Sequence, residues 1–297
     1  MDQAGSLRSL SIDRKAVPER SEDPGFEKSD LVRVIAVTSG KGGVGKTNVV
    51  ANLAYAFTQL GLRVLVLDAD LGLANLDVLL GLSPKYTIQH VLRGDRTLSE
   101  IMIRGVGGMM ILPASSGVQS LAELSEAEKL GLLTELELLE EQYDVLLIDT
   151  GAGISANVMY FNVAAQEVIV VASPEPTSIT DAYALMKVLA LEYGERHFRL
   201  LVNNASNAVE AKEVYRRISS VADKYLEASI DFLGFIPHDE TLVKAVRQQK
   251  AVLQAFPGCP ASRAFKTLAR RISNLPQPIQ PKGNIQFFWK RLVGLPR

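Results

Sequence analysis

The sequence is poor in the residues from which disulfides, metal clusters and membrane spans are built. Its 297 residues include a single cysteine, Cys259, which cannot form an intramolecular disulfide and therefore fits a reducing cytoplasm. Cys259 is flanked by Gly258 and Pro260, so a structural turn is expected there. The three histidines lack the spacing of metal ligands. No apolar run is long enough to span a bilayer, and a cationic start followed by an apolar stretch, the mark of a secretory signal, is missing.

Net charge is also nearly absent. The formal charge of -1 gives no broad basic signature for nucleic acid, and direct DNA binding is therefore not favoured. What is present is an alternation of strand-like apolar segments with helical patterns. This alternation predicts a three-layer α/β fold, with a mostly parallel central sheet covered by helices on both faces. The strand-like segments lie near residues 32–38, 63–69, 109–113, 143–149, 167–172, 198–203 and 231–236, and the helical patterns at 126–142, 178–192, 210–224 and 262–272.

A glycine-rich loop connects the first strand-like segment to the first helical one. Residues 40–47 have the P-loop pattern, in the strand–loop–helix context that the motif requires. The glycines let backbone N–H groups converge on an anion at a helix N-terminus. Lys46 is expected to neutralise the β- and γ-phosphates of a nucleotide, and the Thr47 hydroxyl to hold Mg²⁺. The predicted nucleotide-binding residues of the loop are Gly40, Lys41, Gly42, Gly43, Val44, Gly45, Lys46 and Thr47.

Carboxylates follow two further apolar segments. Asp68 and Asp70 end one of them, and Asp149 ends another. Because open α/β sheets bind ligands at the carboxyl ends of their strands, these acids should surround the phosphates. Asp149 is placed to hold the Mg²⁺ shell, and Asp68 is assigned to the same metal site. Either Asp68 or Asp70 could orient the attacking water.

Together the motifs resemble the MinD/ParA family of deviant-Walker-A ATPases. The resemblance rests on residues 40–47, Leu67–Asp77 and Ile148–Gly153, and it covers about residues 31–274, which we expect to form the ATPase domain. It implies an enzyme that binds ATP and Mg²⁺ and hydrolyses ATP slowly, for regulation.

The same resemblance implies an ATP-dependent homodimer. In such proteins the extra lysine of the loop, here Lys41, reaches across an ATP-sandwich dimer to the partner's nucleotide, and the acid matching Asp70 polarises the hydrolytic water. Lys41, Lys46 and Asp70 are the catalytic residues implied in this way. Further implied nucleotide contacts are Glu175 near the dimer seam, Asn203 or Asn204 at the adenine, and the backbone of Phe235, Ile236 and Pro237.

Residues 1–30 contain too few apolar side chains to pack and are expected to form a flexible arm. The arm begins with a segment that resembles the Asp-Gln-Ala-x-x-Leu-Arg element of the FlhG (FleN, YlxH) ATPases. That resemblance implies control of flagellar number and placement, binding of the GTPase FlhF with stimulation of its GTP hydrolysis, and action through a transcriptional regulator such as FleQ or through switch-complex components. The matching residues are Asp2, Gln3, Ala4, Leu7 and Arg8.

The other end of the chain is basic and amphipathic. A proline-rich linker, residues 275–283, precedes residues 284–297, which are predicted to form a membrane-targeting helix. A basic helix with aromatic residues suits the inner face of an anionic membrane, and two copies in a dimer should bind far better than one. The alternative is that the helix folds back onto an apolar groove of its own core. Its predicted apolar face consists of Ile285, Phe288, Trp289, Leu292 and Val293.

Other functions within the same superfamily remain as alternatives. A septum-site MinD shares the core and the C-terminal helix but begins directly at the first strand, whereas here an arm of thirty residues precedes it. A ParA-like DNA-partitioning ATPase would bind DNA through surface lysines and arginines. An iron–sulfur carrier would need paired cysteines, which this chain lacks.

Overall fold

A sheet of eight strands forms the centre of the molecule. The structure is a computed structural model that describes residues 32–70, 75–114, 125, 128, 131–132, 135–136, 139 and 142–276. The strands in this part of the chain are β1 (Arg33–Ser39), β2 (Val64–Ala69), β3 (Ile103–Arg104), β4 (Met110–Leu112), β5 (Val145–Ala152), β6 (Glu167–Ala172), β7 (His197–Ala205) and β8 (Ser229–Pro237). Their order across the sheet is β3-β4-β2-β5-β1-β6-β7-β8, and every pairing is parallel except that of β3 with β4.

Helices cover both faces of the sheet, as the sequence predicts. We number the completely described helices α1 (Lys46–Gln59), α2 (Leu76–Leu79), α3 (Ile88–Leu92), α4 (Leu98–Ile101), α5 (Ala156–Ala164), α6 (Pro176–Tyr193), α7 (Ala208–Tyr225), α8 (Glu240–Arg247), α9 (Val252–Ala255) and α10 (Pro260–Asn274). One face packs against α1 and α8–α10, and the other against α3–α7.

The central strands β1, β2 and β6 are buried because both of their faces are covered. All seven residues of β1 are buried, and its successive apolar side chains contribute to different cores: Ile35 and Val37 pack with α1, whereas Val34 and Ala36 pack on the opposite side. This alternation is what the pleat of a strand imposes. It also explains why the strand segments read as almost continuous apolar runs, since neither face meets water.

The segments predicted as strands along the core all form strands, and β3 is an addition. β3 has only two residues at the edge of the sheet, too few to produce a period in the sequence. Most of the predicted helix 126–142, the arm 1–30 and residues 277–297 lie outside the described residues, so the domain boundaries stay predictions. Within the described residues, none of the helices combines the length and the apolar character that crossing a bilayer requires.

Candidate nucleotide-binding site

The P-loop lies where the sheet order requires a ligand site. It follows the central strand β1, which pairs with β5 on one side and β6 on the other, and it leads directly into α1. Gly43 and Gly45 have φ values of 81° and 86°, in the left-handed region that glycine enters without a Cβ penalty. The first N–H groups of α1 therefore face the loop, where a helix N-terminus favours a bound phosphate.

Two glycines of the loop are required by contacts from distant elements. A Cβ on Gly40 would lie 2.0 Å from the backbone oxygen of Asp181 in α6. A Cβ on Gly45 would lie 2.4 Å from Nδ2 of Asn203, whereas none would meet an atom within 4 Å at Gly42. The loop is thus held closely between α6 and the end of β7, while its middle stays open on the side where a phosphate would bind.

Asn203, at the end of β7, holds the P-loop through a hydrogen bond. Its side chain is buried, and its Nδ2 donates a hydrogen bond to the backbone oxygen of Val44 at 2.7 Å. A second support comes from Ser39, whose Oγ donates to the oxygen of Lys41 at 2.9 Å. The family resemblance implies Asn203 only as an alternative adenine contact; its contact with Val44 has no signal in the sequence, because the two residues are far apart along the chain.

Lys46, Asp149 and Asp68 form a buried charged group beside the loop. Nζ of Lys46 donates to Oδ1 of Asp149 at 2.6 Å, and both side chains are less than 10% exposed. Asp68 stands opposite Asp149 in the parallel pairing of β2 with β5. The three predicted residues are therefore brought together, two carboxyl groups and one ammonium group at the carboxyl ends of adjacent strands.

Burial favours the protonated form of Asp68. Burial, reinforced by the nearby charge of Asp149, raises the pKa of Asp68 to about 8, although Asp68 accepts hydrogen bonds from the backbone nitrogens of Asp70 and Leu76. At neutral pH the neutral form of Asp68 thus prevails beside the Lys46–Asp149 ion pair. Carboxylate and hydroxyl oxygens are ligands that Mg²⁺ prefers, so Asp149 and Thr47 fit the predicted metal site as they stand, and Asp68 would fit it once a bound cation had displaced its proton.

The remaining catalytic candidates lie on the same edge of the sheet. Asp70 directly follows β2 and is half-buried, and its carboxylate would lie 3.7 Å from a Cβ placed on Gly151 at the end of β5. Thr47 is half-buried in the first turn of α1. Asp70 therefore lies at the carboxyl end of β2 and Thr47 at the start of α1, and their roles toward a water molecule and a metal stay predictions.

Lys41 points along a different path from Lys46. Its Nζ donates to Oε2 of Glu175 at 2.9 Å and to Oγ1 of Thr177 at 3.0 Å, and its side chain is 38% exposed. Glu175, at the start of α6, was predicted near the nucleotide; Thr177 was missed, because its role depends on how α6 packs against the loop. The structure therefore holds the two lysines of the motif in different settings, one buried and one at the surface.

The predicted adenine contacts lie at the ends of β7 and β8. Asn204 is exposed in the left-handed region at φ 62°, and its Oδ1 is 2.8 Å from Nδ1 of His238. Phe235 and Pro237 are half-buried, while Ile236 is completely buried in the core with α1. Asn204 and the backbone of Phe235, Ile236 and Pro237 thus lie on the adjacent strands β7 and β8, and their contact with adenine stays a prediction.

The predicted tail residues cannot be placed in the same way. Asp2, Gln3, Ala4, Leu7 and Arg8 lie outside the described residues, as do Ile285, Phe288, Trp289, Leu292 and Val293.

Comparisons with known proteins identify the core and its relatives. Residues 32–196 match the family described as AAA domain. The antiactivator FleN of Pseudomonas aeruginosa is 48% identical over 265 residues, which cover 89% of this chain and 95% of that protein. The flagellum site-determining protein YlxH of Helicobacter pylori is 35% identical, over 90% of this chain and 92% of that protein.

A solved structure agrees with the sequence relatives. The septum site-determining protein MinD of Pyrococcus horikoshii, complexed with Mg-ADP, is 26% identical and superposes with a TM-score of 0.70 over 82% of this chain and 97% of that one. This chain therefore shares its fold with a protein that was solved in complex with Mg-ADP. The protein is an ATP-hydrolysing enzyme that uses ATP and Mg²⁺, and it belongs to the FlhG/FleN group of the MinD/ParA family of P-loop ATPases, the group that regulates flagellar number.

Proposed function

We propose that this ATPase regulates flagellar number and placement as a switch that ATP sets by dimerisation. In the ATP-bound state two copies would close on each other, associate with the inner face of the cell membrane, and act on the GTPase FlhF and on a flagellar transcriptional regulator of the FleQ type. Hydrolysis would return the protein to a single chain. The relatives support the flagellar role, since one is named an antiactivator and the other a flagellum site-determining protein.

The position of Lys41 is the observation that carries the proposal. A lysine that served its own nucleotide would be expected inside the loop, as Lys46 is. Lys41 instead extends to Glu175 and Thr177 at the surface, and Glu175 itself is 63% exposed. An exposed ion pair of this kind contributes little to stability, about 0–1 kcal/mol, so a second copy carrying ATP could displace it at low cost. Lys41 would then contact the partner's phosphates.

The remaining roles belong to the same proposal and are supported by the geometry of the site. The loop from Gly42 to Thr47 binds the triphosphate through its N–H groups, and Lys46 leaves Asp149 to neutralise the γ-phosphate. Asp149, Asp68 and Thr47 would hold Mg²⁺, which when bound would supply charge neutralisation at the phosphates. Asp70 directs a water molecule at the γ-phosphate. Slow turnover follows if the useful output is the lifetime of the closed dimer.

Two substitutions test the switch. With Mg·ATP, the Asp70→Ala protein is expected to bind ATP and to have the mass of a dimer by light scattering. Its rate of ATP hydrolysis should fall by at least about tenfold, because the chemical step is impaired while the binding site is intact. The Lys41→Ala protein is expected to bind ATP and remain a single chain. Asp223→Ala, which removes an exposed acid on α7, serves as the control.

The two substitutions can also contradict the proposal. A Lys41→Ala protein that dimerises as well as the unchanged protein would remove Lys41 from the interface. Normal hydrolysis by Asp70→Ala would refute the role given to Asp70, and a single chain under saturating Mg·ATP in both proteins would reject the ATP-dependent dimer.

The partner requires a separate experiment. We expect purified FlhF to be retained by the intact chain and to hydrolyse GTP faster in its presence, and we expect both effects to be lost when residues 1–30 are removed. A protein with Asp2, Gln3 and Arg8 all changed to Ala should behave like the truncated one. If neither change affects FlhF, the proposed partner is wrong, while membership of the FlhG/FleN group, which rests on the sequence relatives, stands.

A further inference from the structure

Charge is divided unequally along this chain. The last acidic residue is Glu240, and residues 241–297 contain eleven lysines and arginines without a single Asp or Glu. All 33 acidic side chains therefore belong to residues 1–240, although the formal charge of the whole chain is only -1. The near-neutral total conceals one strongly basic region.

Much of this region is folded and lies on the surface. It forms α8, α9 and α10; α9 packs against both α8 and α10, and α9 and α10 also pack against α1. On α10 the side chains of Phe265, Leu268 and Ile272 face the core. Its outward face is basic, because the spacing i, i+3, i+7 places Arg263, Lys266 and Arg270 on one side of a helix.

The start of the region adds three more cations. Lys244 and Arg247 are exposed on α8, and Lys250 is exposed just after it. We call the six residues the basic surface: Lys244, Arg247, Lys250, Arg263, Lys266 and Arg270.

The cations of the basic surface are not neutralised by salt bridges to described residues. Among the described residues none of the six forms a salt bridge, although cations elsewhere do so, for example Arg217 with Glu213 on α7. Arg263 donates one hydrogen bond to the oxygen of Gly258 and keeps its charge at the surface. Six cations without a salt bridge, on α8, just after it and on α10, create a positive potential that attracts an anionic surface.

We propose that the basic surface binds the headgroups of an anionic membrane directly, so that the folded core, and not only residues 284–297, attaches the protein. This proposal rests on the membrane association proposed above. Lipid is favoured over nucleic acid by what accompanies the charges. Val243 is 51% exposed beside Lys244, and the chain leaves α10 towards a segment that contains Phe287, Phe288 and Trp289. Cations with exposed apolar residues suit a lipid interface, whereas a DNA surface needs cations without them.

Vesicle sedimentation of the full-length protein with Mg·ATP tests the proposal. The vesicles are phosphatidylcholine, with or without phosphatidylglycerol. Two triple variants remove the cations of one helix region each: Arg263→Gln/Lys266→Gln/Arg270→Gln, and Lys244→Gln/Arg247→Gln/Lys250→Gln. A matched control, Lys187→Gln/Lys212→Gln/Arg216→Gln, removes the same charge from α6 and α7. Thermal unfolding, ATP hydrolysis and dimer formation are measured for each protein, and either triple variant suffices if the other fails to fold.

The expected result is a loss of at least about tenfold in affinity for phosphatidylglycerol vesicles in each triple variant, little change in the control, and a smaller difference at high salt. Binding equal to the unchanged protein, or an equal loss in the control, would overturn the proposal while membrane attachment itself survives. Absence of vesicle binding by the unchanged protein would reject both. Variants that keep vesicle binding but lose binding to short double-stranded DNA would assign the surface to nucleic acid.

Discussion

At the scale of single residues, Asp68 has the most unusual setting. A carboxyl group whose pKa is raised to about 8 by burial keeps its proton in the folded protein over a range in which the unfolded chain has lost it. Between about pH 4 and pH 8 the folded state therefore binds more protons. The contribution of Asp68 to stability is fully present below the unfolded pKa and declines as the pH rises towards 8.

This setting predicts a measurable pH dependence in the nucleotide-free and Mg²⁺-free protein. From pH 5 to pH 8 the free energy of unfolding should fall for the unchanged protein relative to Asp68→Asn, by on the order of 1–3 kcal/mol, because asparagine does not titrate. Urea unfolding at several pH values measures the difference. Parallel curves for the two proteins would mean that Asp68 is ionised at neutral pH.

Whether a residue of the site could be predicted from the sequence depends on how far along the chain its contacts lie. Gly40 to Thr47 could be predicted because all the residues of a P-loop are contiguous and their spacing carries the chemistry. The link from Asn203 to Val44, and that from Thr177 to Lys41, depend on which elements pack together. A single sequence contains no record of such contacts, and asparagine after a strand is an ordinary turn residue.

At the scale of elements, an ion pair fixes the end of α10 to the sheet. Arg33 at the start of β1 donates to both carboxylate oxygens of Glu167 at the start of β6, and Arg199 of β7 also pairs with Glu167. The Nη1 group of Arg33 donates to the carbonyl oxygen of Ile272, near the end of α10, and to that of Leu275. Burial lowers the pKa of Arg33 to about 10, which leaves it charged at neutral pH. The arginine thus joins two strands and a helix.

Removing the acid from this cluster should be costly. Glu167→Ala leaves Arg33 buried and unpaired, and we expect the free energy of unfolding to decrease by about 3–5 kcal/mol. Glu213→Ala, which breaks the exposed pair with Arg217, should cost no more than about 0.5 kcal/mol. Chemical denaturation compares the two. Similar small effects would mean that water reaches Arg33 and replaces the carboxylate.

Prediction of the elements depended on length. The long strands and helices could be recognised because each repeats its pattern over several residues, as in β7 with nine residues and α7 with eighteen. β3 has two residues, and α2 and α4 have four each, so that none of them completes a pattern. Their formation is determined by the contacts of the folded chain.

At the scale of the whole molecule, the parallel arrangement brings the site together. Because the strands run in one direction, the residues that end β1, β2 and β5 meet at one edge, and the sequence alone predicted this meeting. Net charge was less informative. A total of -1 argues only against a broad basic signature and leaves a local patch open, and here the acids and the cations of residues 241–297 occupy different parts of the chain. A sum over the chain cannot report such a separation.

Two hydrogen bonds at α2 connect Asp68 with the residues that follow α8. The carboxyl group of Asp68 accepts from the nitrogen of Leu76, which begins α2, and Nε2 of Gln249 donates to the oxygen of Val78 in the same helix. Gln249 has φ 53° and directly precedes Lys250. α2 is consequently linked by hydrogen bonds to Asp68 at one end and to Gln249 at the other. A displacement of Asp68 on nucleotide binding would reach the neighbourhood of Lys250 through these two bonds.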